Sequence, residues 1–222
     1  VKRAVLFDLD GVLVDSRAAQ LATLAGYATS ALDRRITVAD LPADAATTPR
    51  EQVLADLGMR GEINEDAWDA ATATASLHAE VFPFVTGTLA ALRESGVATG
   101  IVTLRSRRRV SWLLPSDVLD LIDTVVCYED AAPKPAPDGL LLALGRLGVA
   151  PRDAAFVGDM EVDIHAARAA DVRAIGAGWG FAGPEPLTRA GTDIVLPQPG
   201  DLAGVLLLLV GSGQSDDYAK RS

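Results

Sequence analysis

Short apolar runs alternate along this chain with segments whose apolar positions recur at helical spacing. The runs are Val5 to Phe7, Ala98 to Thr103, Thr124 to Cys127, Ala154 to Gly158, Ala174 to Gly178 and Asp193 to Leu196. They are apolar on both faces, as suits parallel strands covered by helices. Between them, Leu89 and Leu92 share one face of a segment closed by Gly96. Leu140, Leu141, Leu144 and Leu147 are placed on one face in the same way before Gly148. Strand and helix alternating like this predict an α/β fold, a Rossmann-like doubly wound parallel sheet.

The rhythm breaks between Ser16 and about Glu80, where no strand pattern appears. Leu21, Leu24, Ala25, Ala28 and Leu32 recur at helical spacing, and Val53 to Gly58 and the stretch around Trp68 also read as helical. Asp40, Thr48 and Asn64 are candidate N-caps. The expected organisation is a core of residues 1–15 and 81–211, a small α-helical insert over 16–80, and a flexible tail over 212–222. The run Leu202 to Val210 is far short of the ~20 residues a spanning helix needs. It predicts a buried C-terminal helix.

Composition narrows this picture. A chain of 222 residues, 49% of them apolar, suits one large domain or a core carrying an insert. The formal charge of −10 disfavours nucleic acid and anionic membranes as partners. A single cysteine, Cys127, leaves no intrachain disulfide to form. The first residues enter a strand at once, so the expectation is a soluble, cytoplasmic protein without a signal peptide. Only three lysines occur beside seventeen arginines, so each lysine can be considered singly.

Four pieces of chemistry lie at the ends of predicted strands, where open α/β sheets bind ligands. Asp8 and Asp10, in FDLDG, can reach one pocket from a strand end. One carboxylate can attack phosphorus while a second moves protons, though a cap or turn explains the pair equally well. Asp159 and Asp163, in GDMEVD, offer hard oxygens that suit Mg²⁺. An N-cap and a dipole-favoured acid is the alternative. Thr103 ends a strand with a hydroxyl and neighbouring amides. Lys134, between two prolines, has little backbone freedom; it is either aimed into a pocket or exposed on a loop.

Together these pieces, in this order on this frame, resemble the haloacid dehalogenase superfamily over nearly the whole chain. The likeness is greatest to its helical-cap branch, which holds phosphoglycolate phosphatases and β-phosphoglucomutases. FPFVTGTLAALRESG and APKPAPDGLLLALGRLGV look typical of that branch. The resemblance implies a phosphatase acting on a small phosphorylated metabolite, with Mg²⁺ as cofactor and an aspartyl-phosphate intermediate. Asp8 matches the nucleophile and Asp10 the general acid/base. Thr103, the Leu104 position and Lys134 match the phosphate-holding set. Asp8, Asp159 and the Asp10 carbonyl match the Mg²⁺ ligands, with Asp163 outside them. On this reading the Asp10 carboxyl stays free for proton transfer. The insert becomes a cap that closes over the core, hinged near Ser16 and residues 81–83.

The chain departs from the branch after Thr103, where Leu104-Arg105 stands in place of asparagine and lysine. With Arg107, Arg108 and Arg109 this makes four arginines in five positions, which could attract an anionic leaving group, although such a run usually marks a solvated helix start. Asp10 argues against dehalogenation, because carbon-attacking relatives lack an acid there. A cap without lysine argues against phosphonate hydrolysis. A phosphosugar mutase is the closer alternative, because Arg50 occupies a segment like that of β-phosphoglucomutases, but the cap lysine of those enzymes is missing. A non-catalytic phosphoester-binding module is the other alternative. Arg50 and Arg105 are candidate substrate contacts. Arg17, Tyr27, Arg34, Arg35 and Trp68 are cap residues in a position to read the substrate, though each reads better as structural or exposed, and His78, His165 and Cys127 read as uninvolved.

Overall fold

The computed structural model describes residues 1–200 and 202–211, so the tail expected over 212–222 lies outside the described residues. Six strands form one parallel sheet: β1 (Arg3–Phe7), β4 (Val97–Val102), β5 (Thr124–Val126), β6 (Ala154–Gly158), β7 (Arg173–Ala177) and β8 (Ile194–Leu196). Their order is β5-β4-β1-β6-β7-β8. This is the expected α/β fold, with each strand end within two residues of its expected place. Two short strands, β2 (Val14–Asp15) and β3 (Glu80–Val81), pair antiparallel and bracket the helical insert. Neither was anticipated, because a two-residue strand has no periodicity to detect.

Alternation along β1 builds a core on each side of the sheet. Val5 and Phe7 point into one cluster and Ala4 and Leu6 into the other. The first cluster is roofed by α4 (Val85–Glu94), α5 (Arg107–Leu113), the short α6 (Ser116–Leu119) and α10 (Leu202–Gly211). The second is roofed by α7 (Asp138–Leu147), α8 (Glu161–Ala169) and α9 (Pro184–Arg189). The insert packs around a third cluster, which joins Leu24, Tyr27, Ala28, Val53, Leu54 and Trp68. Its helices are α1 (Arg17–Leu32), α2 (Arg50–Asp56) and α3 (Glu65–Ala75).

Several local expectations are corrected. Leu141 faces solvent, while Leu140, Leu144 and Leu147 are buried. Residue 141 lies a further 100° round the helix, outside the stripe that i, i+4 and i+7 define. Asn64 does cap α3, accepting from the Ala67 amide at 3.0 Å. Asp40 is not an N-cap but the third residue of a short helical turn capped by Thr37, and its carboxylate closes the capping box by accepting from the amide and hydroxyl of Thr37. Pro49, not Thr48, precedes α2. The C-terminal helix buries only one face, through Leu202, Leu206 and Val210, and leaves Leu208 exposed. Among the described residues no helix is long and apolar enough to cross a membrane.

The topology creates the site. From β1 the chain builds outward through β4 and β5, then crosses to β6, β7 and β8 on the other side. The carboxyl ends of β4, β1 and β6 therefore lie side by side at the switch point. Phe7 is in register with Ile101 on one side and Val157 on the other. Asp8, Thr103 and Asp159 follow those strands directly, so register alone brings them together.

Candidate active site

Asp8 extends β1 by one residue, its amide donating to the Val157 carbonyl at 2.8 Å. Lys134 arrives from the loop before α7, and its ammonium donates to Asp8 Oδ1 at 2.6 Å. The same nitrogen pairs with Asp163 Oδ1 at 2.6 Å and donates to the Val102 carbonyl at 3.3 Å. Asp163 turns its other oxygen back to the amides of Asp159 and Met160, at 3.1 and 2.9 Å. Asp8, Lys134, Asp159 and Asp163 are all buried. The sequence left Lys134 with two readings, and the structure places it in the site.

Three buried carboxylates face one ammonium, and the imbalance shows in their protonation. Burial, with Asp163 and Asp10 adding to it, pushes the Asp8 carboxyl up to about 7 against the pull of Lys134. Burial likewise raises Asp159 well above the usual carboxylate range, with help from Asp8 and Asp163. Burial alone would lower Lys134, but Asp163 and Asp8 outweigh it and hold the ammonium charged.

The donor set fits a hard divalent cation. Asp8, Asp159 and Asp163 each offer a carboxylate oxygen, all within 4.8 Å of one another. Asp159 Oδ1 is fully buried without a hydrogen-bond partner, a costly condition for a charged oxygen unless a cation or proton meets it. The fold packs backbone against this carboxylate. Gly11 sits at φ 73°, and a Cβ there would fall 2.2 Å from Asp159 Oδ2. A Cβ at Gly180 would fall 2.3 Å from the Asp159 Cβ. Only glycine permits both approaches.

The expectation of a free Asp10 carboxyl is corrected. Arg105 grips it at both oxygens, with Nε to Oδ2 at 2.8 Å and Nη2 to Oδ1 at 2.9 Å. Ser16 donates to Oδ1 as well. Burial alone would raise this carboxyl, but the charge and hydrogen bonds of Arg105, with bonds from Ser16 and Gln20, hold it below its ordinary value. A planar guanidinium forks onto a carboxylate in a way the lysine usual near this position cannot.

Above the site, between core and insert, lies a cavity of about 790 Å³. Thr103, buried at its floor, accepts the Arg105 amide on its hydroxyl at 3.1 Å. Leu104 and Tyr128 stand half-exposed on its wall. Arg50 also lines it, but is paired with Glu51 at 2.9 Å and Glu65 at 2.6 Å and lies over the Trp68 ring. The arginine run is not merely a solvated helix start. Arg109 crosses to the insert, where its Nε donates to Asp69 at 2.7 Å and it reaches Glu65 at 3.4 Å. Arg107 instead pairs with Asp130 on the core.

Sequence reasoning missed Ser16 and Gln20 as partners of Asp10, Glu65 and Asp69 as partners of Arg109, and Phe181, whose amide donates to Asp159 Oδ2 at 2.6 Å. No local pattern marks them, because each contact joins distant parts of the chain or a hinge to its own loop. Tyr27 is structural, accepting the Asn64 amide at 2.8 Å. Arg34 caps the Leu57 carbonyl. His78 and His165 are exposed, and Cys127 is buried.

Three acids and a lysine gathered at the switch point of a parallel sheet suit a hydrolase with an α/β core, and comparison with known proteins gives the family. Residues 5–177 match the model of the haloacid dehalogenase-like hydrolase family. The chain is 30% identical to a phosphoglycolate phosphatase of Photorhabdus laumondii, covering 92% of each protein. It is 34% identical to a phosphoglycolate phosphatase of Salmonella paratyphi A, again over 92% of each. A haloacid dehalogenase-like family hydrolase from Streptococcus pneumoniae shares the fold, with a TM-score of 0.76 at 22% identity over 92% of this chain and 98% of that one. The chain belongs to the haloacid dehalogenase-like hydrolase family and is a phosphatase of that family.

Proposed function

We propose that the chain is a Mg²⁺-dependent phosphomonoesterase that hydrolyses a small phosphorylated metabolite through an aspartyl-phosphate. The carrying observation is Asp8 at a strand end, held by Lys134 at 2.6 Å and set beside the unpartnered oxygen of Asp159. Asp159, Asp8 and the Asp10 carbonyl would hold Mg²⁺, which supplies charge neutralisation at the phosphoryl oxygens. Lys134 and the Thr103 hydroxyl bind the same group and orient it for attack.

An Asp8 oxygen then bonds to phosphorus as the ester P–O bond breaks. Asp10 gives its proton to the departing oxygen. It next takes a proton from water, which attacks the aspartyl-phosphate, releases inorganic phosphate and restores Asp8. To act as an acid, Asp10 must first leave Arg105 and gain a proton. An anionic or hydroxyl group on the leaving portion can take its place on Arg105. Arg50, already neutralised by two glutamates, supports the mutase alternative weakly.

The test is phosphate release from 2-phosphoglycolate, hexose phosphates and nucleoside monophosphates, with Mg²⁺ or with EDTA. Turnover that needs Mg²⁺ and vanishes in Asp8→Asn is expected. Activity in that variant, or activity untouched by EDTA, refutes the mechanism. 2-Phosphoglycolate comes first, because the relatives are named for it.

A further inference from the structure

We infer that residues 178–181 and Arg17 form a strap that orients the Asp159 carboxylate and ties it to the first helix of the insert. Arg17 and Phe181 are then positioning residues for divalent-cation binding. The inference rests on Asp159 being a cation ligand.

The two oxygens of Asp159 are treated differently. Oδ2 accepts the Phe181 amide at 2.6 Å, while Oδ1 is buried with no partner. A carboxylate anchored at one oxygen by a backbone donor keeps the other aimed in a fixed direction. Gly11 and Gly180 close on its flanks, so it has no room to rotate away.

The anchoring loop is itself held at both ends. On the core side the Gly178 amide donates to the Leu196 carbonyl at 2.8 Å and the Gly180 amide to the Ala177 carbonyl at 3.1 Å. The Trp179 indole donates to the Val12 carbonyl at 3.4 Å and meets the Phe84 ring edge-on at 5.6 Å. On the other side, Arg17 Nη2 donates to the Phe181 carbonyl at 2.7 Å. Its guanidinium also lies 5.2 Å from the centre of the Phe181 ring.

Arg17 opens α1, two residues past the β2 strand that leads into the insert. One residue, Phe181, thus touches Asp159 through its amide and the insert through its carbonyl and ring. Any change in the attitude of α1 pulls on the residue that aims Asp159. Arg17 is exposed, so removing its side chain leaves the packed core intact.

The experiment titrates Mg²⁺ into metal-free protein by calorimetry, with melting in EDTA recorded beside it. Wild type, Arg17→Ala, Arg17→Lys and Asp159→Asn are compared. Arg17→Ala is expected to weaken Mg²⁺ binding on the order of threefold to tenfold, the scale of one charge-assisted contact with a cation–π contribution. Its melting in EDTA should stay unchanged, and Arg17→Lys should recover at least half of the loss. Mg²⁺ affinity within about 1.5-fold of wild type in Arg17→Ala, with binding lost in Asp159→Asn, overturns the strap alone. Wild-type affinity in Asp159→Asn overturns the assignment of the ligand and the strap with it. A fall of several degrees in EDTA for Arg17→Ala makes its role structural and also overturns the inference.

Discussion

Arg105→Met isolates the contact that most changes the picture of the acid. The substitution removes the guanidinium from Asp10 and keeps an unbranched apolar stem, shorter by two heavy atoms. Removing one partner of a buried ion pair costs about 3–5 kcal/mol. Here both side chains keep some solvent, 16% for Arg105 and 14% for Asp10, and Ser16 and Gln20 still bond to the carboxylate. A loss of about 2–3 kcal/mol at pH 8 is the expected scale. For a chain of this size, where each kcal/mol moves the midpoint by about 2–4 °C, that is a fall of about 4–12 °C.

The pH dependence has a definite sign. In the wild type the Asp10 carboxyl is held below its ordinary value, so the pair contributes stability above the unfolded value. That contribution is lost as pH falls through the folded value. Without Arg105, burial dominates and the carboxyl rises. The variant is then destabilised at high pH and recovers as Asp10 takes up a proton. Urea melts in EDTA at pH 8 and pH 5 measure both enzymes, and the gap should narrow at pH 5. A gap below about 0.5 kcal/mol at pH 8, within the range of an ordinary surface change, refutes the reasoning. So does a gap equal at both pH values.

Asp8, raised to about 7 by burial first, makes the metal-free fold favour the protonated acid. Stability in EDTA should therefore decline as pH rises from the ordinary carboxylate range through about 7, and urea melts across that window check it. Mg²⁺ competes with that proton, so its affinity should weaken by up to about tenfold per unit below pH 7; equal affinity by calorimetry at pH 6 and pH 8 contradicts this. Arg109 and Asp69 are largely shielded, at 15% and 25% exposure, and a double-mutant cycle should give a coupling on the order of 1 kcal/mol. A coupling near zero would show that the pair does not hold the insert to the core. Gly180→Ala places a methyl 2.3 Å from the Asp159 Cβ; Mg²⁺ affinity should fall more than about tenfold, and an unaltered titration would contradict that close approach.

The sheet and its site were legible because burial leaves a plain signature. Strands covered on both faces are short and apolar, and Asp8, Thr103 and Asp159 stand immediately beyond three of them. Parallel register then brings them together with no further information. The misread details are those where neighbours decide. Leu140, Leu141, Leu144 and Leu147 look like one stripe, but Leu141 is a quarter-turn away from the other three. Asp40 resembles an N-cap by type, yet its oxygen is taken by Thr37 three residues earlier. Arg105 belonged to an arginine run that usually means solvent. Nothing near it in the chain shows that Asp10, 95 positions away, is its partner. Phe181 is further hidden, because it acts through a backbone amide that every residue but proline possesses.

The two aspartates that open the site sit in environments that lean away from the protonation states the proposed reaction needs. A nucleophile must be ionised, yet burial and neighbouring acids favour the protonated form of Asp8. A general acid must carry a proton, yet Arg105 holds Asp10 ionised. Environments that push paired carboxyls apart ordinarily assign acid and base roles directly; here the residues around each carboxyl lean the other way. A divalent cation beside Asp8 and Asp159 favours the ionised form of both. A group that draws Arg105 away leaves burial to raise Asp10. On the proposed reading, cation and substrate therefore do more than occupy the site, because each corrects one aspartate.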